Sequence, residues 1–347
     1  MSRMSFAVGV VGASGYTGAE LLRLLAGHPG LEPVVATSRE FAGRDIATVY
    51  PNLVAYAGRP YDEVNPDALT GLDLVFLALP HGASMELGAK LAEAGGRVVD
   101  LSADFRLEDA HAYPEWFGNP HTAPEWLGKW IYGLPELHRQ QIAGAQAVAN
   151  PGCYPTAAVL ALAPLIAGHL IDPATVIVNA ASGVSGAGRG LNPGMHFAHI
   201  DANYKAYTVT GHKHTPEIEQ ELGHLAGEPV HVTFVPHLVP MPRGLLATCV
   251  ASLADGADPD SVAQAARSFY ASEPFVRATA APPETKFTLG SNACHVWATA
   301  DARTGRAVAI AAIDNLGKGA AGQAIQNANL MLGLPETLGL SAEGVYP

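Results

Sequence analysis

The sequence predicts an α/β protein with more than one domain, and three observations carry that reading. At 347 residues the chain is long enough for two sizeable cores. Short apolar runs of strand length recur through its N-terminal third, each ending in a turn rich in Gly, Ser or Pro, as buried parallel strands do. The first run passes through a glycine loop directly into an amphipathic helix, the unit from which doubly wound sheets are built.

Composition narrows the class. The chain is 48% hydrophobic and 15% charged, which suits a packed globular protein rather than a disordered one. Its 37 glycines and 26 prolines suggest many tight turns. A formal net charge of −12 argues against a nucleic-acid surface, because a phosphate backbone needs clustered Lys and Arg. A small anionic ligand needs only a few local arginines. The longest apolar helix candidate, 156–170, is interrupted by Pro164, Gly168 and His169 and falls short of the roughly 20 residues that span a membrane. Phe6 to Val11 is too short for the apolar region of a secretory signal. Three cysteines cannot all pair, and no close Cys or His framework suggests a metal. A reducing, cytoplasmic compartment is expected.

Taken in order, 6–11 reads as a buried strand, Gly12-Ala-Ser-Gly-Tyr-Thr-Gly18 as its loop, and 19–26 as the helix. Strand, glycine loop and helix are the context of a dinucleotide-binding turn. The glycines let the backbone approach a pyrophosphate, and the helix N-terminus faces its charge. The spacing is GxxGxxG. Gly12, Ser14, Gly15, Tyr16, Thr17 and Gly18 are the candidate cofactor contacts. A second strand, 32–37, ends in Ser38-Arg39-Glu40. An acidic residue at that place suits the ribose hydroxyls of NAD. Here Ser38 and Arg39 come first and suit a 2′-phosphate, so NADP(H) is expected. Glu40 pulls the other way, and a solvated loop charge is the structural alternative for Arg39. Strand 73–79 runs into Pro80-His-Gly82, and strand 97–102 ends at Ser102. Ligands of open parallel sheets bind at that edge, so Pro80 to Gly82 and Ser102 are candidates to line the cofactor cleft. Arg106 is a candidate anion clamp or an internal ion-pair partner.

The run Asn150-Pro-Gly-Cys-Tyr-Pro-Thr156 lies between a strand end, 145–149, and a buried helix, 156–166. Cys153 therefore stands near a helix N-terminus, where unpaired N–H groups and the dipole favour an anion. A thiol there loses its proton more readily and becomes a nucleophile. A small buried hydrophobe is the bland alternative. Cys249 and Cys294 have strand-like flanks and are expected in the core.

Strand 175–181 leads into Ser182-Gly-Val-Ser-Gly-Ala-Gly-Arg189, a small-residue run suited to an anion-binding nest, with Arg189 as a bidentate clamp or the whole as a plain turn. Gly211-His-Lys-His-Thr-Pro-Glu217 precedes a helix over 218–225, with Thr215 as N-cap and Pro216 at the first helical position. His212 and His214 are candidate acid–base groups; a surface loop or a metal site with His196 and His199 are the alternatives. Arg243 precedes strand 245–253. Strand 308–313 ends in Asp314-Asn-Leu-Gly-Lys-Gly319, before a helix over 320–332. The Asn315 amide is a candidate partner for a nicotinamide carboxamide.

Together these segments resemble the N-acetyl-gamma-glutamyl-phosphate reductases of arginine biosynthesis, relatives of aspartate-semialdehyde dehydrogenase and glyceraldehyde-3-phosphate dehydrogenase. The resemblance runs along nearly the whole chain. Its most specific parts are Asn150 to Thr156 and His212 to Glu217; Gly12 to Gly18, Leu101 to Arg106, Ser182 to Arg189 and Ala312 to Asn315 add to it. It implies a Rossmann domain over 1–151, completed by 315–347, and an α+β catalytic and oligomerisation domain with a mixed sheet over 152–314. It implies homodimers or homotetramers. It also implies reduction of an acyl phosphate through a Cys153 thioester, with His214, nearer the helix start, or His212 managing protons. Ser182 and Gly183 are expected at the cofactor. Asn150, Ser185, Arg106, Arg189, Glu217 and Arg243 are expected at a small acyl-phosphate substrate. The alternatives are the lysine-branch reductase of a carrier-linked aminoadipyl phosphate and a non-catalytic NADP-binding redox sensor.

Overall fold

The computed structural model describes residues 5–346. The chain divides into two compact units: the residues up to Pro151 with Ala320–Leu340, and Gly152–Gly319 with the residues from Ser341 onward. The resemblance places all of 315–347 in the first domain. In the structure 315–319 and the tail belong to the second unit, and local bonds explain why. Asn292 N donates to Ser341 O at 2.8 Å and Val345 N to Leu289 O at 2.7 Å, while a Cβ on Gly317 would overlap the Ser291 carbonyl.

The first unit is a six-stranded parallel sheet of β1 (Phe6–Val11), β2 (Leu31–Ala36), β3 (Leu74–Leu77), β4 (Val98–Asp100), β5 (Ile131–Tyr132) and β6 (Ala147–Ala149), in the order β2-β1-β3-β4-β6-β5. Alternate side chains enter separate cores. Phe76, Val99 and Val148 meet Leu21 and Leu22 of the Tyr16–Leu25 helix and Ile325 and Ala328 of the Gly322–Met331 helix. Val75, Leu77, Val98 and Ala149 meet Leu91 of the Met85–Glu93 helix, with Phe105 and Trp130. Both faces are covered, so the strands read as continuous apolar runs. Strand order reverses between β1 and β3, which puts a switch point at their carboxyl ends.

The second unit holds β7 (Ile171–Gly183), β8 (Lys205–Ala206), β9 (Thr233–Val239), β10 (Leu245–Leu253), β11 (Val276–Ala278), β12 (Cys294–Asp301) and β13 (Arg306–Ile313) in one mixed sheet, ordered β11-β12-β13-β10-β7-β9-β8. The Cys153–Ala167 helix is buried from Tyr154 to Ile166. It packs on β7, β10, β12 and β13 and against the Thr215–Ala226 and Pro259–Phe269 helices, so its sequence is apolar all round. Cys249 and Cys294 are fully buried, as expected, and burial pushes the Cys249 thiol up to about 12. Among the described residues no helix is long and apolar enough to cross a membrane.

Candidate active site

The first unit builds the glycine turn. Gly12 has φ +81° and a Cβ there would overlap the Ala78 carbonyl; a Cβ on Gly18 would overlap Gly12 O. These two glycines are required by the protein's own packing. Gly15 is different: its Cβ would meet only Gly12 O, at 3.6 Å. Gly15 is the N-cap of the Tyr16–Leu25 helix and provides no side-chain cap, which leaves helix-end N–H groups for an anion. The helix begins at Tyr16, three residues before the sequence reading, so Tyr16, exposed, and Thr17, half-buried, form its first turn. Ser14 and Ser38 are joined by a 2.7 Å hydrogen bond between their hydroxyls, and Ser38 Oγ accepts from Phe41 N. Ser38 is buried and braces the turn. Arg39 beside it is exposed.

Other expected contacts of this unit point inward. Pro80 is exposed, but the Ser102 hydroxyl is buried and donates to Asp100 Oδ2 at 2.6 Å. The buried Arg106 guanidinium donates to Asn150 O at 2.8 Å and to Leu101 O at 2.9 Å. Asn150 is itself fully buried, donating to Ala320 O and accepting from Asn327 Nδ2.

The second unit gathers the thiol and the histidines. Gly152 is the N-cap of the helix and Cys153 its first residue, half-buried. Sequence placed the start at Thr156; Pro155 is tolerated in the first turn, whose N–H groups have no helical partner. Gly319 lies against Cys153, since a Cβ there would stand 2.8 Å from Cys153 Cβ. The Glu217 carboxylate, 1% exposed, accepts from Gly152 N at 2.7 Å and so ties the Thr215–Ala226 helix to the cysteine turn. That helix starts at Thr215 with His214 as N-cap, one residue earlier than Thr215 as N-cap would give. His214 offers no side-chain cap.

Tyr154 is the centre of an aromatic group. Its ring lies 5.5 Å from His212, 5.9 Å from His214 and 5.3 Å from Phe234, and the two imidazoles are 4.8 Å apart. Tyr207 donates to the Tyr154 hydroxyl at 3.2 Å, and Tyr154 donates to His237 O at 2.9 Å. Burial, then Tyr207, raises the Tyr154 hydroxyl far above its ordinary range, so it stays protonated. His212 is buried and its Nδ1 accepts from His214 N at 3.1 Å, which puts the proton of the neutral ring on Nε2. Burial, then Lys213, lowers His212 to about 4. The loop leading to it is strained: Thr208 and Thr210 have φ of 46° and 65°, unusual for β-branched residues.

The turn after β13 meets the turn after β7. Asn315 Nδ2 donates to Ser185 Oγ at 2.9 Å and its Oδ1 accepts from Gly244 N at 2.8 Å. Arg243 is paired with the buried Asp314 at 2.9 Å. Ser182 is buried, Gly183 has no room for a Cβ beside Met241 O and Arg243 N, and Arg189 is half-buried. Tyr154, Tyr207, Phe234 and Asp314 were not picked out from sequence. Tyr154 was legible, being inside the cysteine motif. Tyr207 and Phe234 reach the site through pairing of β8 with β9. Among the described residues no group of three or more Cys, His, Asp or Glu is placed to hold a metal.

Residues 7–145 match the semialdehyde dehydrogenase NAD binding domain and residues 153–315 the semialdehyde dehydrogenase dimerisation domain. Aspartate semialdehyde dehydrogenase II from Vibrio cholerae superposes with a TM-score of 0.71 over 95% of this chain and 98% of that one, at 18% identity. The enzyme from Candida albicans, solved with NADP, gives 0.69 over 94% and 98%, at 16% identity. The class is thus a nicotinamide-dinucleotide oxidoreductase of the semialdehyde dehydrogenase type. The chain is 50% identical to the N-acetyl-gamma-glutamyl-phosphate reductase of Pelotomaculum thermopropionicum, over 99% of this chain and 100% of that one. It is 52% identical to that of Symbiobacterium thermophilum, over 99% and 100%. The chain belongs to the N-acetyl-gamma-glutamyl-phosphate reductase family.

Proposed function

We propose that this protein uses NADPH to reduce N-acetyl-L-glutamyl 5-phosphate to N-acetyl-L-glutamate 5-semialdehyde, releasing phosphate, through a thioester on Cys153. The observation that carries the reading is the near 50% identity, end to end, with reductases of that name. The geometry of the second unit supports the chemistry. Cys153 Sγ attacks the acyl carbon and the bond to the phosphate oxygen breaks, leaving a thioester and inorganic phosphate. Such covalent catalysis divides a hard reduction into two accessible steps. A nicotinamide, when bound, would supply the hydride needed at the thioester carbonyl. The carbon–sulfur bond then breaks, giving the aldehyde and the thiolate. N–H groups of the first helical turn suit the oxyanion that forms before this.

We assign proton transfer to His214. His212 is held neutral by burial and by its bond from His214 N, which suits an orienting role better than that of an acid near neutral pH. Glu217 positions the cysteine turn. Arg189 and Arg243 are the cations of this unit proposed for the substrate's phosphate and carboxylate.

The first unit fits a dinucleotide: Gly15 leaves open space beside uncapped helix N–H groups. Arg39, exposed and without a hydrogen-bond or ion-pair partner among the described residues, favours the 2′-phosphate of NADP over NAD. The second unit, with Gly152–Gly319 as its main segment, forms the proposed catalytic and oligomerisation domain. Ile177, Val250, Val308, Ile310 and Trp297 share a sheet face that is exposed or only partly buried, which supports a homodimer or homotetramer. A cytoplasmic location fits a biosynthetic reductase whose three cysteines form no disulfide.

The test is the reverse reaction. N-acetyl-glutamate semialdehyde, phosphate and NADP should yield NADPH absorbance that depends on phosphate and vanishes in Cys153→Ser. No signal from a folded, NADP-binding protein would overturn the assignment and favour the carrier-linked substrate.

A further inference from the structure

We propose that Asp104 is a positioning residue for the dinucleotide: its carboxylate fixes the turn from Pro80 to Ser84, and with it the His81 imidazole, at the carboxyl edge of the first unit's sheet. The inference rests on the dinucleotide reading of that unit.

Asp104 is fully buried. Its Oδ1 accepts from Gly82 N at 2.7 Å and lies 2.5 Å from His81 Nδ1, and its Oδ2 accepts from Ser84 N at 2.8 Å. Burial opposes the charge, but the His81 contact and the two N–H groups outweigh it and hold the carboxyl below its usual range. The turn's one internal backbone bond is Ala83 N to Pro80 O at 3.1 Å. Its shape therefore depends on the carboxylate.

Asp104 is in turn fixed from behind. Its N donates to Ser102 Oγ, and its carbonyl accepts from Tyr113 Oη at 2.6 Å and is 2.7 Å from His121 Nε2. Ser102 is clamped by Asp100 through its N–H and its hydroxyl. A buried charge needs this many donors to be tolerated. Packing alone would be served by a neutral side chain, so the arrangement points to a demand on the turn itself.

The turn stands where a ligand is expected. It follows β3, which pairs with β1, and Gly12 after β1 packs on the Ala78 carbonyl, two residues before Pro80. His81 is 22% exposed and its ring lies 4.1 Å from Phe117. With Nδ1 against Asp104, Nε2 is the nitrogen left for a ligand. The recognised group is a ribose hydroxyl or pyrophosphate oxygen of the dinucleotide.

The experiment is a fluorescence titration of the full-length protein with NADPH, on wild type, Asp104→Asn and His81→Ala, beside steady-state kinetics and thermal melts. Asp104→Asn should raise the Kd for NADPH about tenfold or more, the loss of a charge-assisted contact, and His81→Ala should raise it severalfold. The KM for the acyl phosphate should stay within about twofold, a split that a merely structural defect would not give. If Asp104→Asn does not fold, the partly exposed His81→Ala decides alone. Wild-type NADPH affinity in folded His81→Ala, or in both variants, would overturn the proposal. A wild-type protein that binds no dinucleotide would overturn the underlying reading and this one with it.

Discussion

Gly319→Ala displaces Cys153 without altering any reacting group. The new Cβ would stand 2.8 Å from Cys153 Cβ and 3.1 Å from Ile313 Cδ1. Carbon atoms in contact rest at about 3.5–4.0 Å, so something must move by about 0.7 Å or more. The glycine side is held: Gly319 N donates to Asp314 O at 3.0 Å, and the Gly317 backbone is wedged against Ser291. Cys153, at a helix end, is the softer partner. Overpacking of this kind costs about 1–3 kcal/mol, and a displacement near 1 Å at a reacting group costs on the order of 100-fold in rate. The expected result is a folded protein with Tm lowered by a few degrees and kcat lowered about 10- to 100-fold. Turnover, a thermal melt and the alkylation rate of Cys153 by peptide mapping read it. Wild-type kcat and alkylation in folded Gly319→Ala would refute the placement of the thiol as the reacting group.

Glu217→Ala leaves Gly152 N–H without its acceptor and should destabilise the protein by about 1–3 kcal/mol, with Glu217→Gln milder; equal urea midpoints for the Ala variant and wild type would contradict this. His212 gives a pH dependence. The unfolded chain takes up its proton near 6.5 and the folded chain only near 4, so this stability is present above 6.5 and is lost as pH falls toward 4. Its size is about 3 kcal/mol. Urea unfolding of His212→Gln should lose that slope; an unchanged slope would sink the assignment. Gly15→Ala should melt close to wild type, because its Cβ meets only Gly12 O, yet bind NADPH about tenfold more weakly if the open space holds the pyrophosphate. Isothermal titration decides, and unchanged affinity would move the pyrophosphate elsewhere.

What was legible in the sequence was local. β1 and β10 have the bounds expected, because each is an apolar run closed by turn residues, Gly12 after one and Gly244 before the other. The helices starting at Tyr16 and Cys153 begin three residues before their sequence pattern indicates, since glycine and proline in a first turn look like loop. β7 runs on through Ser182 and Gly183 because Ser182 pairs with Leu245 and Gly183 with Val239, partners distant in sequence. The nest expected at 182–189 is thus a strand end followed by the short helical turn Val184–Ala187. Charge was the least legible feature. Arg106 and Arg243 look alike as lone cations in the sequence. One is held by the carbonyls of Asn150 and Leu101, the other by Asp314, and only tertiary contact reveals which partner each has.

The proposed reaction passes through a covalent acyl-enzyme on Cys153. Mixing the protein with N-acetyl-glutamyl phosphate in the absence of NADPH, quenching in acid and mapping peptides by mass spectrometry tests it most directly. The expected result is stoichiometric phosphate release and an N-acetyl-glutamyl adduct on the peptide containing Cys153, discharged by NADPH and absent from Cys153→Ser. Full turnover without any adduct, or with an adduct on another residue, would contradict it.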